Sequence, residues 1–257
     1  MKGGIPLKKE HGQNFLHDST VVDDMLKAVN LENRSVFEIG CGAGFLTKEI
    51  LKKNIARLWV FEIDPAWATK VSTELAHSKM TVHTSNILDI DFAIFDEHKP
   101  WILLSNLPYH VTFPILSMVQ RNRDKISEGV VMVQEEVAQK IVKDAGRGYG
   151  YISLFYQYYF DWTLLTKVPP TAFYPEPKVY SRLMHFKVKP DVKPIIDEQD
   201  FWRFIKLCFM QPRRTLRNNL GQTHLNLSQV SEETLKLRAQ QLDFSKLLEL
   251  WQLIKMV

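Results

Sequence analysis

The chain has only two cysteines in 257 residues, Cys41 and Cys208. That is too few for a disulfide framework or a cysteine zinc site. Its eight histidines fall at no ligand spacing, so no metal is expected. No apolar run approaches the roughly 20 residues of a membrane-spanning helix. The N-terminus, Met1 to Leu16, is basic and contains glycine but has no apolar core region, which excludes a secretory signal. No internal repeat or low-complexity segment is present. Charge of one sign is scarce too: 33 Lys and Arg face 29 Asp and Glu, a formal net charge of +4. The pI of about 8.9 is compatible with nucleic acid but does not point to it. A cytoplasmic protein without a membrane attachment is the expectation.

Hydrophobic residues make up 45% of the chain, enough for one good core and a small second unit. The stretch from Val36 to Gly44 organises the rest. An apolar run, Val36-Phe37-Glu38-Ile39, meets the glycine-spaced Gly40-Cys41-Gly42-Ala43-Gly44, and an amphipathic run from Phe45 follows. This reads as strand, tight loop and helix N-terminus. Glycines serve where the backbone takes positive φ or approaches a ligand closely. A second apolar run, Leu58 to Phe61, ends in Glu62-Ile63-Asp64. An acid about twenty positions after such a loop suits the ribose hydroxyls of a nucleotide-like cofactor. The dinucleotide fingerprint is G-x-G-x-x-G, whereas these glycines alternate. The alternation suits a smaller nucleoside ligand, and S-adenosylmethionine is the natural candidate.

Further strands are expected at Arg57–Ile63, Thr81–Ser85, Trp101–Ser105, Val130–Val133, Ile152–Phe160 and Arg182–Val188. Helices are expected at about Ser19–Val29, from Phe45 to about Lys53, from Pro65, and at about Glu135–Lys143. Apolar strands alternating with helices imply an α/β fold with a parallel, doubly wound sheet. Ligands of such sheets sit beyond the strand C-termini, where Gly40, Glu62, Asn86 and Asn106 all fall. Pro190 and Pro194 mark a linker, and from about Glu198 the pattern is wholly helical. The expected domains are 1–189 and 190–257.

Asn106-Leu107-Pro108-Tyr109 is the second informative stretch. Pro108 cannot continue a central strand, so the chain turns and presents Asn106 and Tyr109. An amide oxygen accepts from an exocyclic amine, and an aromatic ring stacks on a base. The adenine amine is a poor nucleophile because its lone pair is delocalised into the ring. Acceptors holding its N–H bonds out of conjugation restore that lone pair. Attack on a sulfonium methyl is then an in-line displacement helped mainly by positioning. The third stretch, Phe173 to Ser181, is stiffened by Pro175 and Pro177. It offers Phe173 or Tyr174 to the other face of the base. By itself such a loop also reads as a packing corner.

Together these motifs resemble the ribosomal RNA adenine N6,N6-dimethyltransferases. The matching residues are Gly12-Gln13-Asn14-Phe15-Leu16, Glu38 to Gly44, Phe61-Glu62-Ile63-Asp64, Asn106 to Tyr109 and Phe173-x-Pro175-x-Pro177-Lys178-Val179-x-Ser181. Val168-Pro169-Pro170 and Arg213 to Leu220 are similar to the KsgA-type branch, which acts on small-subunit RNA. The resemblance covers nearly the whole chain. It implies a Rossmann-like class I S-adenosylmethionine-dependent methyltransferase domain and a small C-terminal helical domain. It also implies dimethylation of two adjacent adenosines in the 3′-terminal hairpin loop of small-subunit RNA, on the pre-ribosomal small subunit, by a monomer. Carried over by position, Asn14, Leu16, Gly40, Gly42, Glu62, Asn86 and Asn106 line the cofactor. Asn106 and the Leu107 carbonyl hold the target amine, and Tyr109 and Phe173 sandwich the base. Arg213, Arg214 and Arg217 become RNA contacts; Arg213 and Arg217, four apart, share a face on a helix. Two positions depart from the family pattern. Asn86 stands where Asp is usual, and Pro212, in place of a basic residue, is expected to kink the late helix.

The nearest rival is a large-subunit RNA methyltransferase that confers antibiotic resistance. A DNA adenine methyltransferase is disfavoured because Asn106-Leu107-Pro108-Tyr109 lacks the acidic or serine residue usual before Pro-Pro. A non-catalytic RNA-binding assembly factor is the rival of another class, and the intact loop with Asn106 and Tyr109 argues against it. A dehydrogenase is disfavoured by the glycine spacing.

Overall fold

The computed structural model describes residues 5–8 and 13–255. Gly12 of the first motif, like the rest of 1–4 and 9–12, lies outside the described residues. In chain order the elements are β1 (Phe15–Leu16), α1 (Ser19–Lys27), β2 (Ser35–Ile39), α2 (Phe45–Leu51), β3 (Arg57–Glu62), α3 (Pro65–Glu74), β4 (Met80–Thr84), β5 (Trp101–Asn106), α4 (Thr112–Arg121), β6 (Ile126–Gln134), α5 (Glu135–Ile141), α6 (Tyr151–Tyr159), β7 (Phe160–Val168), β8 (Phe173–Tyr174), β9 (Ser181–Val188), α7 (Glu198–Cys208), α8 (Leu216–Leu220), α9 (Glu232–Lys236) and α10 (Phe244–Lys255). Contacts divide the chain into two units: 1–138 with 160–188, and 139–159 with 189–257.

The first unit is built on a seven-stranded sheet in the order β4-β3-β2-β5-β6-β9-β7. The strands from β4 to β6 run parallel, whereas β9 is antiparallel to both β6 and β7. The sheet is therefore mixed at the end that carries the late strands. Central strands are mostly apolar because both faces are covered, with Glu38 of β2 as a buried exception. Their period of two sorts the side chains. Val36, Leu58, Val60, Ile102, Leu104, Val130 and Met132 join one core. Phe37, Trp59, Phe61 and Trp101 meet Phe95 in an aromatic cluster. The Asp18 carboxylate caps α1 by accepting from Thr20 N at 2.9 Å. Asp64 caps α3 by accepting from Ala66 N at 3.1 Å, with Pro65 at the first helical position. β1 pairs antiparallel with β8, Leu16 opposite Phe173.

Several sequence expectations need correction. The expected strand Ile152–Phe160 is the helix α6. Its aromatic residues favour strands, but its buried positions, Ser153, Leu154, Tyr156 and Tyr159, do not alternate. The Ser153 hydroxyl accepts from Gly150 N at 3.0 Å at the helix start, and Gln157 Nε2 donates to Ile141 O at 2.7 Å and Lys143 O at 2.8 Å. The strand lies next in the chain, as β7. The expected boundary at 189/190 follows from the same misreading: with α6 taken for a sheet strand, 139–159 was placed with the first domain, whereas its contacts are with 189–257.

The second unit has its own core, which includes Phe201, Phe204, Ile205, Leu216, Leu220, Leu235, Leu247 and Trp251. From Glu198 onward every element among the described residues is helical, as expected, although α8 and α9 have only five residues each. Thr215 caps α8 by accepting from Asn218 N, so the helix begins at Leu216. Arg213 and Arg214 precede it in a turn closed by Arg214 N donating to Gln211 O at 2.9 Å. Arg213 and Arg217 therefore do not share a helix face, and Pro212 kinks no helix because none crosses it.

Gly129 tests the sheet packing. It lies on β6 opposite Leu103 of β5 and Phe186 of β9. A Cβ there would stand 2.5 Å from Leu103 O and 2.7 Å from Phe186 Cε1. Neither a strand backbone nor a core ring moves cheaply, so Gly129→Ala should cost about 1–3 kcal/mol or more. Urea unfolding reads this as a lower midpoint; an unchanged midpoint would show that the sheet yields at this point.

Candidate active site

The neighbours of β2 are β3 on one side and β5 on the other, so the connections leave in opposite directions at its end. Such a switch point opens a crevice at the strand C-termini. An open cavity of about 1210 Å³, counting the space at its mouth, lies there. It is lined by residues 13–16, 38–43, 61–63, 85–88 and 106–111, among others. Of the residues singled out in the sequence, Asn14, Leu16, Gly40, Gly42, Glu62, Asn86, Asn106, Leu107 and Tyr109 line it together.

The loop after β2 forms because its glycines take left-handed backbone. Gly40 has φ +72°, Gly42 +50° and Gly44 +76°. At Gly42 space also decides, since a Cβ would meet Phe15 Cε1 at 2.8 Å. Gly42 N donates to Glu62 Oε2 at 3.0 Å, and Asp64 N donates to Glu62 Oε1 at 2.9 Å. The Glu62 carboxylate thus joins the loop to the end of β3. Cys41 is buried beside it, and burial, with Glu38 and Glu62 nearby, pushes its thiol up. The protonated thiol fits a small space-filling residue.

Asn106 Nδ2 donates to the backbone carbonyl of Asn14 at 3.1 Å. This fixes the amide and leaves its oxygen as the acceptor at the cavity. Leu107 is anchored by its own N–H, which donates to Met132 O at 3.1 Å. The Tyr109 hydroxyl lies 2.6 Å from Ser181 Oγ. Asn86 caps the short 3-10 turn Ile87–Asp89: its oxygen accepts from Leu88 N at 3.1 Å and its nitrogen donates to Asp89 Oδ2 at 3.1 Å. An amide oxygen has two lone pairs, so one remains for a ligand amine.

Phe173 departs from expectation. Its ring is 1% exposed, belongs to the core around Leu16, Val168 and Leu183, and is not among the cavity lining. The pairing of β8 with β1 turns it inward, while its neighbour Tyr174 is half exposed. In the second unit Arg213, Arg214 and Arg217 are exposed, and Arg217 is ion-paired with Glu232.

The residue that motif reading left without a role is Glu38. It is buried, lines the cavity and accepts from Thr47 Oγ1 at 2.7 Å. Burial, reinforced by the nearby Glu62 and opposed by the Thr47 hydrogen bond, pushes its carboxyl up to about 8. The sequence signal was present, an acid inside an apolar strand.

The lining fits S-adenosylmethionine. Glu62 offers a carboxylate to a ribose diol, Asn86 an acceptor to an adenine amine, and the glycine loop allows close backbone approach. Among the described residues no group of three or more His, Cys, Asp or Glu could hold a metal. No helix among them is long and apolar enough to cross a membrane.

The family model described as ribosomal RNA adenine dimethylase matches residues 5–252. The Ribosomal RNA small subunit methyltransferase A of Syntrophotalea carbinolica is 37% identical over 83% of this chain and 81% of its own. That of Chlorobium luteolum is 36% identical over 98% and 91%. Among solved structures, a dimethyladenosine transferase from Plasmodium falciparum aligns with a TM-score of 0.77 at 19% identity, covering 91% of this chain and 95% of that one. The 23S rRNA methyltransferase ErmE aligns at 0.72 and 21% identity, covering 94% and 99%. These two structural likenesses establish the class I methyltransferase fold.

Glu38 generates a pH prediction. Its carboxyl titrates near 8 in the folded chain against 4.5 when unperturbed. Between those values the folded state keeps a proton that the unfolded state has lost. The stability tied to that proton is complete below pH 4.5 and is lost as pH rises to about 8. Glu38→Gln removes the linkage. Relative to this variant, the parent should lose stability across that window by up to about 1.4 kcal/mol per pH unit. Urea midpoints measured against pH check this; a constant difference between the two proteins would refute it.

Proposed function

We infer the chemistry of this cavity from one premise: the chain belongs to the ribosomal RNA adenine dimethylase family. It is an S-adenosylmethionine-dependent methyltransferase that dimethylates adenine in small-subunit ribosomal RNA. Two adjacent adenosines of the 3′-terminal hairpin loop are the proposed targets. The proposed substrate particle is the pre-ribosomal small subunit, met in the cytoplasm by a monomer. The large-subunit alternative has in its favour only a structural likeness at 21% identity, which speaks to fold and not to substrate.

The observation that carries the mechanism is the Asn106 amide held by the Asn14 carbonyl. With its nitrogen committed there, its oxygen accepts one N–H of the target amine. The Leu107 carbonyl is proposed to accept the other, so the nitrogen lone pair leaves conjugation and points at the donor. S-adenosylmethionine supplies the electrophilic methyl group. Positioning then does most of the work, and the acidified product amine can lose its proton to water. Tyr109 is proposed to stack on the target base. Glu62 is proposed to hold the ribose hydroxyls, Asn86 the cofactor's adenine amine, and Gly40, Gly42, Asn14 and Leu16 the remaining cofactor wall. Phe173, as a core residue, supports the loop that carries it.

Residues 190–257 are proposed to place RNA, with Arg213, Arg214 and Arg217 on phosphates. The Arg fork matches phosphate oxygens. Arg213 and Arg214 carry more of this proposal than Arg217, which must first release Glu232.

Two experiments test these readings. Mass spectrometry of small-subunit RNA from a deletion strain should show dimethyladenosine restored by the parent gene and not by Asn106→Ala. Binding of the variant to the ribosomal particle should be nearly unchanged, because phosphates supply most RNA affinity. A near-normal dimethyladenosine yield would remove Asn106 from the mechanism. Separately, replacing Arg213 and Arg214 by Gln should lower the log–log salt slope of particle binding by roughly 0.7–0.9 for each lost contact. Cofactor affinity should not change, and an unaltered slope would make both arginines ordinary solvated residues.

A further inference from the structure

We propose that Ser181 is a positioning residue for methyl transfer, acting through the Tyr109 ring. The inference rests on the reading that Tyr109 stacks on the target adenine, and adds what holds the ring in place.

Tyr109 opens the 3-10 turn Tyr109–Val111, directly after Pro108, and lines the cavity. A turn fixes the Cα but leaves the side-chain torsions to set where the ring lies. The far end of the ring is held by the 2.6 Å hydrogen bond between its hydroxyl and Ser181 Oγ. Ser181 is fully buried, and a buried hydroxyl needs a partner.

The anchor itself is rigid. Ser181 begins β9, with Gln134 of β6 opposite it on one side and Val168 of β7 on the other. The next residue, Arg182, donates to Glu135 through Nε at 2.7 Å and Nη2 at 2.9 Å, and through Nη1 to Leu165 O at 2.9 Å. The serine is therefore fixed by the sheet and by an ion pair before it meets Tyr109. Held at both ends, the ring keeps one axis and one position beneath an incoming base. Released at the hydroxyl, it swings about its Cα–Cβ bond, and a base stacked on it carries its amine away from the acceptors. In-line displacement is sensitive to such misplacement.

The test uses the full chain and small subunits from the deletion strain, under single-turnover conditions with saturating cofactor. Ser181→Ala, Tyr109→Phe, the double variant and Ser181→Thr are compared. Ser181→Ala and Tyr109→Phe should each slow methyl transfer roughly tenfold, which corresponds to about 1.4 kcal/mol. The double variant should be no slower than either single one, because both remove the same bond. Ser181→Thr, which keeps the hydroxyl, should recover most of the rate. Cofactor affinity by calorimetry should stay at the parent value in all four. A parental rate in Ser181→Ala, or rate losses that multiply in the double variant, would overturn the proposal. So would a loss that Ser181→Thr does not rescue. If Ser181→Ala fails to fold, Tyr109→Phe decides alone: a full rate there also overturns it. A parent protein inactive on these particles would instead sink the functional reading, so the two failures are separable.

Discussion

The Glu62 carboxylate is the bond that the cavity is built around. One oxygen takes the N–H of Gly42 and the other the N–H of Asp64, so the loop after β2 and the turn after β3 cannot move apart independently. The network continues outward. Asp64 caps α3 and accepts from Lys8 Nζ at 3.1 Å and Gln13 Nε2 at 3.4 Å. Burial pushes the Asp64 carboxyl up, but the Lys8 ammonium and these N–H donors outweigh it and hold it below the usual carboxylate range. The residue after Gln13 is Asn14, whose carbonyl fixes Asn106 at the end of β5. Three strand ends and the N-terminal segment are thus tied by polar contacts running from Gly42 to Asn106. Alternating glycines matter here because Gly42 must bring its N–H to a carboxylate while Phe15 packs where its side chain would stand.

Two carboxylates share this cavity in different surroundings. Glu62 is met by two backbone N–H groups, from Gly42 and Asp64. Glu38, one strand over, has the Thr47 hydroxyl and is otherwise enclosed, so burial dominates and its proton is retained well above the usual range. The pocket therefore places an acceptor tied to two backbone N–H groups at the proposed ribose position, and beside it an acid that resists ionisation. Both acids end or interrupt apolar strands, but only their surroundings separate the roles.

The legible parts of the sequence were those where one physical rule acted alone. Parallel strands covered on both faces give largely apolar runs, so β2, β3 and β5 and the rim residues at their ends could be read directly. The glycine loop was legible because positive φ leaves few alternatives. α6 was not, since its Tyr and Phe residues favour strands and only packing with residues 189–257 selects the helix. β7 was missed because Asp161, Thr163 and Lys167 break the apolar pattern of an edge strand that pairs only with β9. The Arg213–Arg217 spacing suggested one helix face, but the Thr215 cap starts α8 between them. Orientation was never in the sequence: nothing in it aims the Asn106 nitrogen at Asn14 or turns Phe173 inward.

The motif from Phe173 to Ser181 shows why a resemblance names residues better than it assigns their work. Its two ends are both buried and both fixed by strands, Phe173 opposite Leu16 and Ser181 between Gln134 and Val168. One end fills the core beneath the cavity, and the other reaches Tyr109. Between them Tyr174, Val179 and Tyr180 are exposed on a segment stiffened by Pro175 and Pro177. A stiff segment with two fixed ends sets positions better than it supplies mobile contacts. On the proposed reading the motif serves methyl transfer without any of its own side chains touching the target base, by fixing the position of a ring that belongs to a different motif.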